Sequence, residues 1–326
     1  MKRIAIDRML NGVLLLSLAM ALSFCAGEGG QKIEKGVIKS DTTWSKNILI
    51  KGDVEIAPGV TLTITPGTVV KFAKIEANGP GNLHKTNTNN FSVAELIVRG
   101  KLIARGTKDR MILFTSAEKS PRPGDWGAIN FLDSKDNILE YCEVSFADTG
   151  IHGHGVQANV QNCYLHDNGV AIAYNNMPDF QTKCSVGVYN NRITGNGGGV
   201  LFGRQTVSRI GRNQITNNKL YGIFGKNALS CQVRYNDISR NGKGVILYAT
   251  PGLQLNENNI SDNEEYAMSL LEGQIYNVDA RKNWWGTQDD RKVRAMIWDK
   301  DEDGTLGRVD FSAFAGSAIP GAGVSG

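Results

Sequence analysis

The chain has 326 residues, a formal net charge of +4 at neutral pH, 41% hydrophobic residues, and 38 glycines against only 8 prolines. That charge is too small to argue for nucleic acid or any other partner. Many glycines and few prolines suit a chain that turns often without breaking its strand ladders, and a repeat spanning most of the length leaves little room for a second domain.

Residues 1–25 read as a targeting segment, outside the fold. "MKR" is a basic start, "MLNGVLLLSLAMALSF" an apolar core, and Cys25 follows at once. "LSFC" resembles the lipobox of bacterial lipoproteins, in which the cysteine is acylated and becomes the new N-terminus. Leu22 and Ser23 fit that pattern, while Phe24 stands where a small residue is usual. Two routes of export stay open, a lipid anchor on Cys25 or ordinary secretory cleavage after Ala21. Residues 26–43 then form a tether, Gly-rich at its start. Ala26 is not the Asp that marks inner-membrane retention in the lipoprotein family of Gram-negative bacteria. That implies the outer membrane or cell surface for an anchored chain, and the periplasm or medium otherwise.

From residue 44 to 287 a repeat governs the sequence. Its early part, "ILIKGDVEIAPGVTLTITPGTVVKFA", alternates apolar residues at Val60, Leu62 and Ile64 before Pro66-Gly67 turns into Val69. Later, Val188, Ile210, Val233, Leu255 and Val278 follow one another at intervals of 22, 23, 22 and 23 residues. Asn191, Asn213, Asn236 and Asn258 keep the same frame, as do Asn196, Asn218, Asn241 and Asn263. Ile138 and Val160 extend it upstream, and the 28 residues from Val160 to Val188 contain an insertion around "NNMPDFQTK". A period near 22 with β-branched residues and no helical periodicity predicts a solenoid of parallel strands, about ten coils and on the order of 50 Å long. Equal positions stack in such a fold, so the asparagines are structural ladders that serve each other and the backbone at the bends.

Export makes the remaining cysteines relevant. Cys142 and Cys163 share one register, with Cα atoms expected about 5 Å apart and within disulfide range. Cys184 and Cys231 share none. The choice lies between a Cys142–Cys163 bridge and small apolar core fillers. His152 and His154, in "HGH", read either as two metal ligands lacking a third or as polar turn surface. With Val170, Val200, Ile223, Val245 and Met268 taken as inward, the outward neighbours of that strand ladder include no carboxylate, so no catalytic residue is assigned.

Residues 186–250 carry nine Lys or Arg and one acid, Asp237, whereas thirteen acids face seven bases from 251 onward. Arg192, Arg209, Arg212, Arg234 and Lys243 are therefore candidate contacts for an anionic polymer, against the plainer reading of a solvated face. "QDDRKVRAMIWD", with Val293, Met296 and Ile297 at helical spacing, is expected to cap the last coil, and residues 288–326 form that cap and tail. Trp284 and Trp285 pack there or offer a sugar platform. "DKDEDGTLGRVD" has the D-x-D-x-D-G spacing of a calcium loop, with Asp299, Asp301, Asp303, the Thr305 carbonyl and Asp310 as ligands, or else it is an acidic turn without an ion.

"ELIVRGKLIARGTKDRMILFTS", "GDWGAINF" and the closing "NWWGT…GRVDFSAF" resemble bacterial right-handed parallel β-helix proteins, an exported family that includes polysaccharide lyases and glycoside hydrolases. The likeness covers roughly residues 44–314 and implies an all-β, single-stranded right-handed β-helix. It speaks to architecture more than to activity. The reading is a non-catalytic cell-envelope protein presenting a surface to polysaccharide or to an envelope protein. Two alternatives stand beside it, a carbohydrate-active enzyme on the same fold and a periplasmic accessory factor for metal enzymes.

Overall fold

A computed structural model describes residues 30–324. The chain winds as a parallel β-helix with three strand ladders per coil. Among the described residues the first ladder has ten strands, from Gln31–Ile33 through Cys142–Ser145 and Arg192–Thr194 to Asn259–Ser261. The second runs from Gly36–Ile38 through Val170–Asn175, Gly198–Gly203, Tyr221–Lys226, Lys243–Tyr248 and Tyr266–Leu270 to Ile297–Trp298. The third runs from Thr42–Trp44 through Ser185–Tyr189, Val207–Gly211, Ser230–Arg234 and Leu253–Asn256 to Val309–Asp310. In two early coils the second and third ladders fuse into single strands, Ile129–Glu140 and Thr149–Gln161, the former irregular between Ser134 and Asn137.

Apolar side chains of equal register fill the interior. Ile172, Val200, Ile223, Val245, Met268 and Ile297 form one buried column of the second ladder, with Phe131, Tyr174, Phe202, Leu247 and Leu270 beside it. Each such side chain contributes about 1.5–3 kcal/mol of burial. The column corrects one detail of the sequence reading. Val170 pairs with Gly198 and is only partly buried, so Ile172 takes the inward place expected of Val170.

Both asparagine ladders form, flanking the first sheet on either side. Asn213 Nδ2 donates to Asn236 Oδ1 at 2.9 Å and to Val188 O at 2.8 Å, while Asn236 Oδ1 also accepts Asn213 N at 2.9 Å. The pattern repeats through Asn191, Asn236 and Asn258, and through Asn196, Asn218, Asn241 and Asn263. The ladders are longer than the sequence reading had them, since Asn283 extends the first and Asn168 the second. A residue with positive φ precedes most rungs, among them Arg212, Tyr235 and Glu257 in one ladder and Asn217, Arg240 and Asp262 in the other. A non-glycine residue there costs about 1–2 kcal/mol, which the buried side-chain bonds offset.

Cys163 and Cys142 occupy the next two rungs above Asn191. Cys163 N donates to Asn191 Oδ1 at 2.8 Å, Cys142 N to Cys163 Sγ at 3.4 Å, and the two thiols donate to Leu139 O and Ala104 O, each at 3.5 Å. The bridge weighed for Cys142 and Cys163 is therefore not formed. Both are free and buried, as are Cys184 and Cys231, because the register that stacks the two cysteines also turns each thiol toward a carbonyl of the coil above.

Two boundaries shift. Strands begin at Gln31 and pair with the following coil, so part of the segment expected as a tether over 26–43 belongs to the solenoid. At the other end the helix of the cap is only Asp290–Ala295, N-capped by Asp289 and burying Val293, and the chain then adds strands to the second and third ladders. Trp285 is buried at that end, and Trp284 bridges to Asn259 of the first sheet. Cys25 and the rest of the targeting segment lie outside the described residues.

Candidate functional site on the outer face of the second sheet

Residues of the second ladder that alternate with the buried column point outward, and they change character along the rod. One outward row reads Glu55, Ile97, Asn130, His152, Ala173, Leu201, Phe224, Ile246, Ser269 and Trp298. Its early half is polar and covered; its late half carries the rings of Phe224 and Trp298, with Ile246 and Ser269 largely buried between them.

Residues 73–95, between the strands Val69–Phe72 and Leu96–Val98, lie over the early half. Glu95 is fully buried and accepts from Asn130 Nδ2 at 2.6 Å, Asn90 Nδ2 at 3.1 Å and Phe91 N at 3.2 Å. Burial outweighs these donors and raises its carboxyl to about 8. Asn130 spends its amide hydrogens on Glu95 and Asn89 O, so its Oδ1 accepts from His152 Nδ1 at 2.8 Å. By the same logic His154 Nδ1 donates to Asn89 Oδ1 at 2.8 Å, and its Nε2 accepts from Asn175 Nδ2 at 3.2 Å. Both imidazoles are neutral, held down by burial to about 3 for His152 and about 4 for His154. The two histidines thus sit on a strand and fasten the covering segment, where the sequence suggested a polar turn.

Among the described residues no three His, Cys, Asp or Glu side chains gather as metal ligands. Near the histidines, Cys184 Sγ is engaged by Val156 N and Asn175 O, and burial pushes its thiol up to about 11. Met177 sulfur lies 3.6 Å from an Arg204 guanidinium nitrogen.

At its last coils the face forms a groove of about 360 Å³ lined by Lys243, Tyr266, Ser269, Leu271, Trp298 and the acids Glu265, Glu272 and Asp303. Tyr266 and Trp298 meet edge to face at 5.7 Å, and Tyr221 and Phe224 do so at 5.6 Å two coils earlier. Glycine at 198 lets the Tyr221 ring lie back along the face, since a Cβ there would strike the ring. Trp298 is the most open of these rings, 36% exposed. Aromatic rings spaced along an open groove with carboxylates and hydroxyls beside them can stack on sugar faces and hydrogen-bond the rim. In the sequence, the outward neighbours of this ladder speak only to the absence of carboxylates. Trp298 could be placed only once the cap was known to add a strand.

The other expected site residues fall elsewhere. Arg192 lies on the outside of the first sheet, Arg209 and Arg234 on the third, and Arg212 at the turn between them, in consecutive coils. Two of the guanidinium groups stack on rings, Arg192 on Tyr164 and Arg212 on Tyr235, each at 5.1 Å. Lys243 stands apart, on the second sheet, ion-paired to Glu265.

The calcium ligands weighed at 299–310 do not meet around one point. Buried Asp299 is paired to Arg294 at 3.0 Å and accepts Val309 N at 2.7 Å. Asp301 pairs with Arg308 at 2.8 Å, Asp303 accepts from Thr305 N and Oγ1, and Asp310 faces Arg281 at 3.8 Å. Guanidinium groups supply the positive charge that the motif's spacing suggested an ion would bring.

Comparison with known proteins gives two family models and several solved structures. A model described as pectate-lyase like beta helix domain matches residues 36–175. No curated protein matches the chain. Among solved structures, the periplasmic alginate epimerase AlgG is 14% identical, over 84% of this chain and 74% of its own, with a TM-score of 0.39. The A-module of the Azotobacter vinelandii mannuronan C-5 epimerase AlgE4 is 15% identical, over 91% and 89%, with a TM-score of 0.41. Likeness of that extent says nothing of what this chain acts on. A second family model, described as periplasmic copper-binding protein (NosD), matches residues 115–278, half of the chain, so the chain belongs to that family of parallel β-helix proteins.

Proposed function

We propose that this is an exported β-helix protein of the cell envelope that binds polysaccharide without cleaving it, through the open aromatic groove of the second sheet. The observation that carries the reading is the in-register exterior of Phe224, Ile246, Ser269 and Trp298, flanked by Tyr221 and Tyr266. A rigid solenoid holds those rings at fixed spacing, so a repeating polymer can engage several at once with little ordering cost. The periplasmic description of the family supports export, and the apolar segment ending at Cys25 supports an acylated anchor. Loss of membrane partitioning in Cys25→Ser tests the anchor.

The family description also favours a second reading, handling of copper for a metal enzyme. The residues present do not fit a preformed copper site. His154 has both ring nitrogens engaged and His152 has one engaged, and the nearest thiol, Cys184, is held protonated, whereas a soft site needs thiolate or several free imidazoles.

The test is a panel of envelope and plant polysaccharides assayed for binding and for released reducing or unsaturated ends. Binding without product, lost in Trp298→Ala, supports the reading. Product release overturns the non-cleaving part, and absence of binding to every polymer overturns the whole.

A further inference from the structure

The same groove has a charge pattern that selects among glycans, an inference that rests on the polysaccharide reading. Its rim carries three acids, Glu265, Glu272 and Asp303, against one base, Lys243, and Lys243 is already ion-paired to Glu265. Among the described residues Glu272 and Asp303 have no basic partner. Asp303 is held ionised by the Thr305 amide and hydroxyl, which draw its carboxyl below the usual range. Ser269 is 4% exposed and lines the groove, and its hydroxyl, which has no side-chain partner among the described residues, stays open to the cavity. Beside it the exposed Trp298 ring, edge to face with Tyr266, offers a π face that attracts cations as well as sugar rings.

An anionic polymer would meet Glu272 and Asp303 unfavourably, and a neutral one would leave them without a cation. We propose that the groove takes an amine-bearing glycan, a polymer of hexosamine units with free amino groups. Ammonium groups meet Glu272 and Asp303, a sugar face stacks on Trp298, and a hydroxyl or amine satisfies Ser269. The basic edge carrying Arg209, Arg212 and Arg234 is not part of this site.

The experiment is calorimetric or fluorescence titration of the full-length protein with three matched oligosaccharides, of glucosamine, of N-acetylglucosamine and of a uronic acid, at pH 5.5 and low salt. The glucosamine oligomer is expected to bind about tenfold tighter than the other two, and to weaken as salt rises. Glu272→Gln with Asp303→Asn should lose about that factor for glucosamine alone, with an unchanged denaturation midpoint as control of folding. Trp298→Ala should weaken whatever binds. Equal or tighter binding of the acetylated or uronic oligomer, or no effect of the double variant, overturns the amine assignment and leaves polysaccharide binding standing. Failure of all three oligomers, together with failure of the polymer panel, overturns both.

Discussion

Replacing Asn213 by Ala tests the ladder that fixes the coil register. The substitution deletes three donated bonds, to Val188 O, Gly211 O and Asn236 Oδ1 at 2.8–3.0 Å. It also strips the acceptor from Asn191 N, at 2.9 Å, and from Asn191 Nδ2, at 3.0 Å. Asn191 N is buried, and losing its partner costs about 1–3 kcal/mol, while the bonds to carbonyls that keep or regain other partners cost about 0.5–1 kcal/mol each. The expected loss is about 3–4 kcal/mol, read as a shift of the urea midpoint, with the denaturant slope checked because repeat arrays can unfold in parts. Gln232→Ala, at an exposed position of the strand Ser230–Arg234, serves as control and is expected to change stability by less than about 0.5 kcal/mol. Asn191→Cys should cost less than Asn191→Ala, because Cys142 and Cys163 already fill rungs with thiols. A loss below about 1 kcal/mol for Asn213→Ala, or equal losses for the Cys and Ala variants at 191, refutes the ladder as a stabilising element.

Glu95 has a folded-state carboxyl raised above its unfolded value, so its contribution is fully present below about pH 4.5 and is lost as pH rises through about 8. Glu95→Gln should flatten the fall in stability between pH 5 and 8, and an unchanged slope would refute its burial. His152 and His154 are depressed, so their contribution is present above about pH 6.5 and is lost as pH falls toward 4 and 3. His154→Asn should reduce the loss of stability between pH 6.5 and 4, followed by denaturation at stepped pH. Thiol titration should find Cys142, Cys163, Cys184 and Cys231 unreactive in the folded protein and all four reactive after denaturation without reductant; two missing thiols would mean a bridge. Added calcium should leave the melting temperature unchanged, since Arg294, Arg308 and Arg281 neutralise Asp299, Asp301 and Asp310; a rise of several degrees would refute that.

The solenoid was legible because stacking imposes one period on every coil. A single chain shows that period directly at Asn191, Asn213, Asn236 and Asn258. The polar network over the early second sheet was not legible. His154 meets Asn89 across 65 residues of sequence, through a segment that departs from the repeat. Trp298 was hidden for a related reason, since it joins the row of Ser269 only after the chain has left the repeat to form the cap helix. In the acidic motif, spacing along the chain shows carboxylates alternating and does not show the Arg294 side chain folding back among them. Likewise, one cluster of bases in sequence became two surfaces in space, because Lys243 lies in the second strand of its coil and Arg234 in the third.

Binding of the polysaccharide panel should be compared between Trp298→Ala and Arg209→Ala/Arg234→Ala, each with an unchanged denaturation midpoint. The account predicts that affinity falls at least about tenfold in the tryptophan variant and stays within about twofold in the arginine variant. The opposite result, affinity lost with the arginines and kept without the tryptophan, would move recognition to the basic edge between the third and first sheets and contradict the groove.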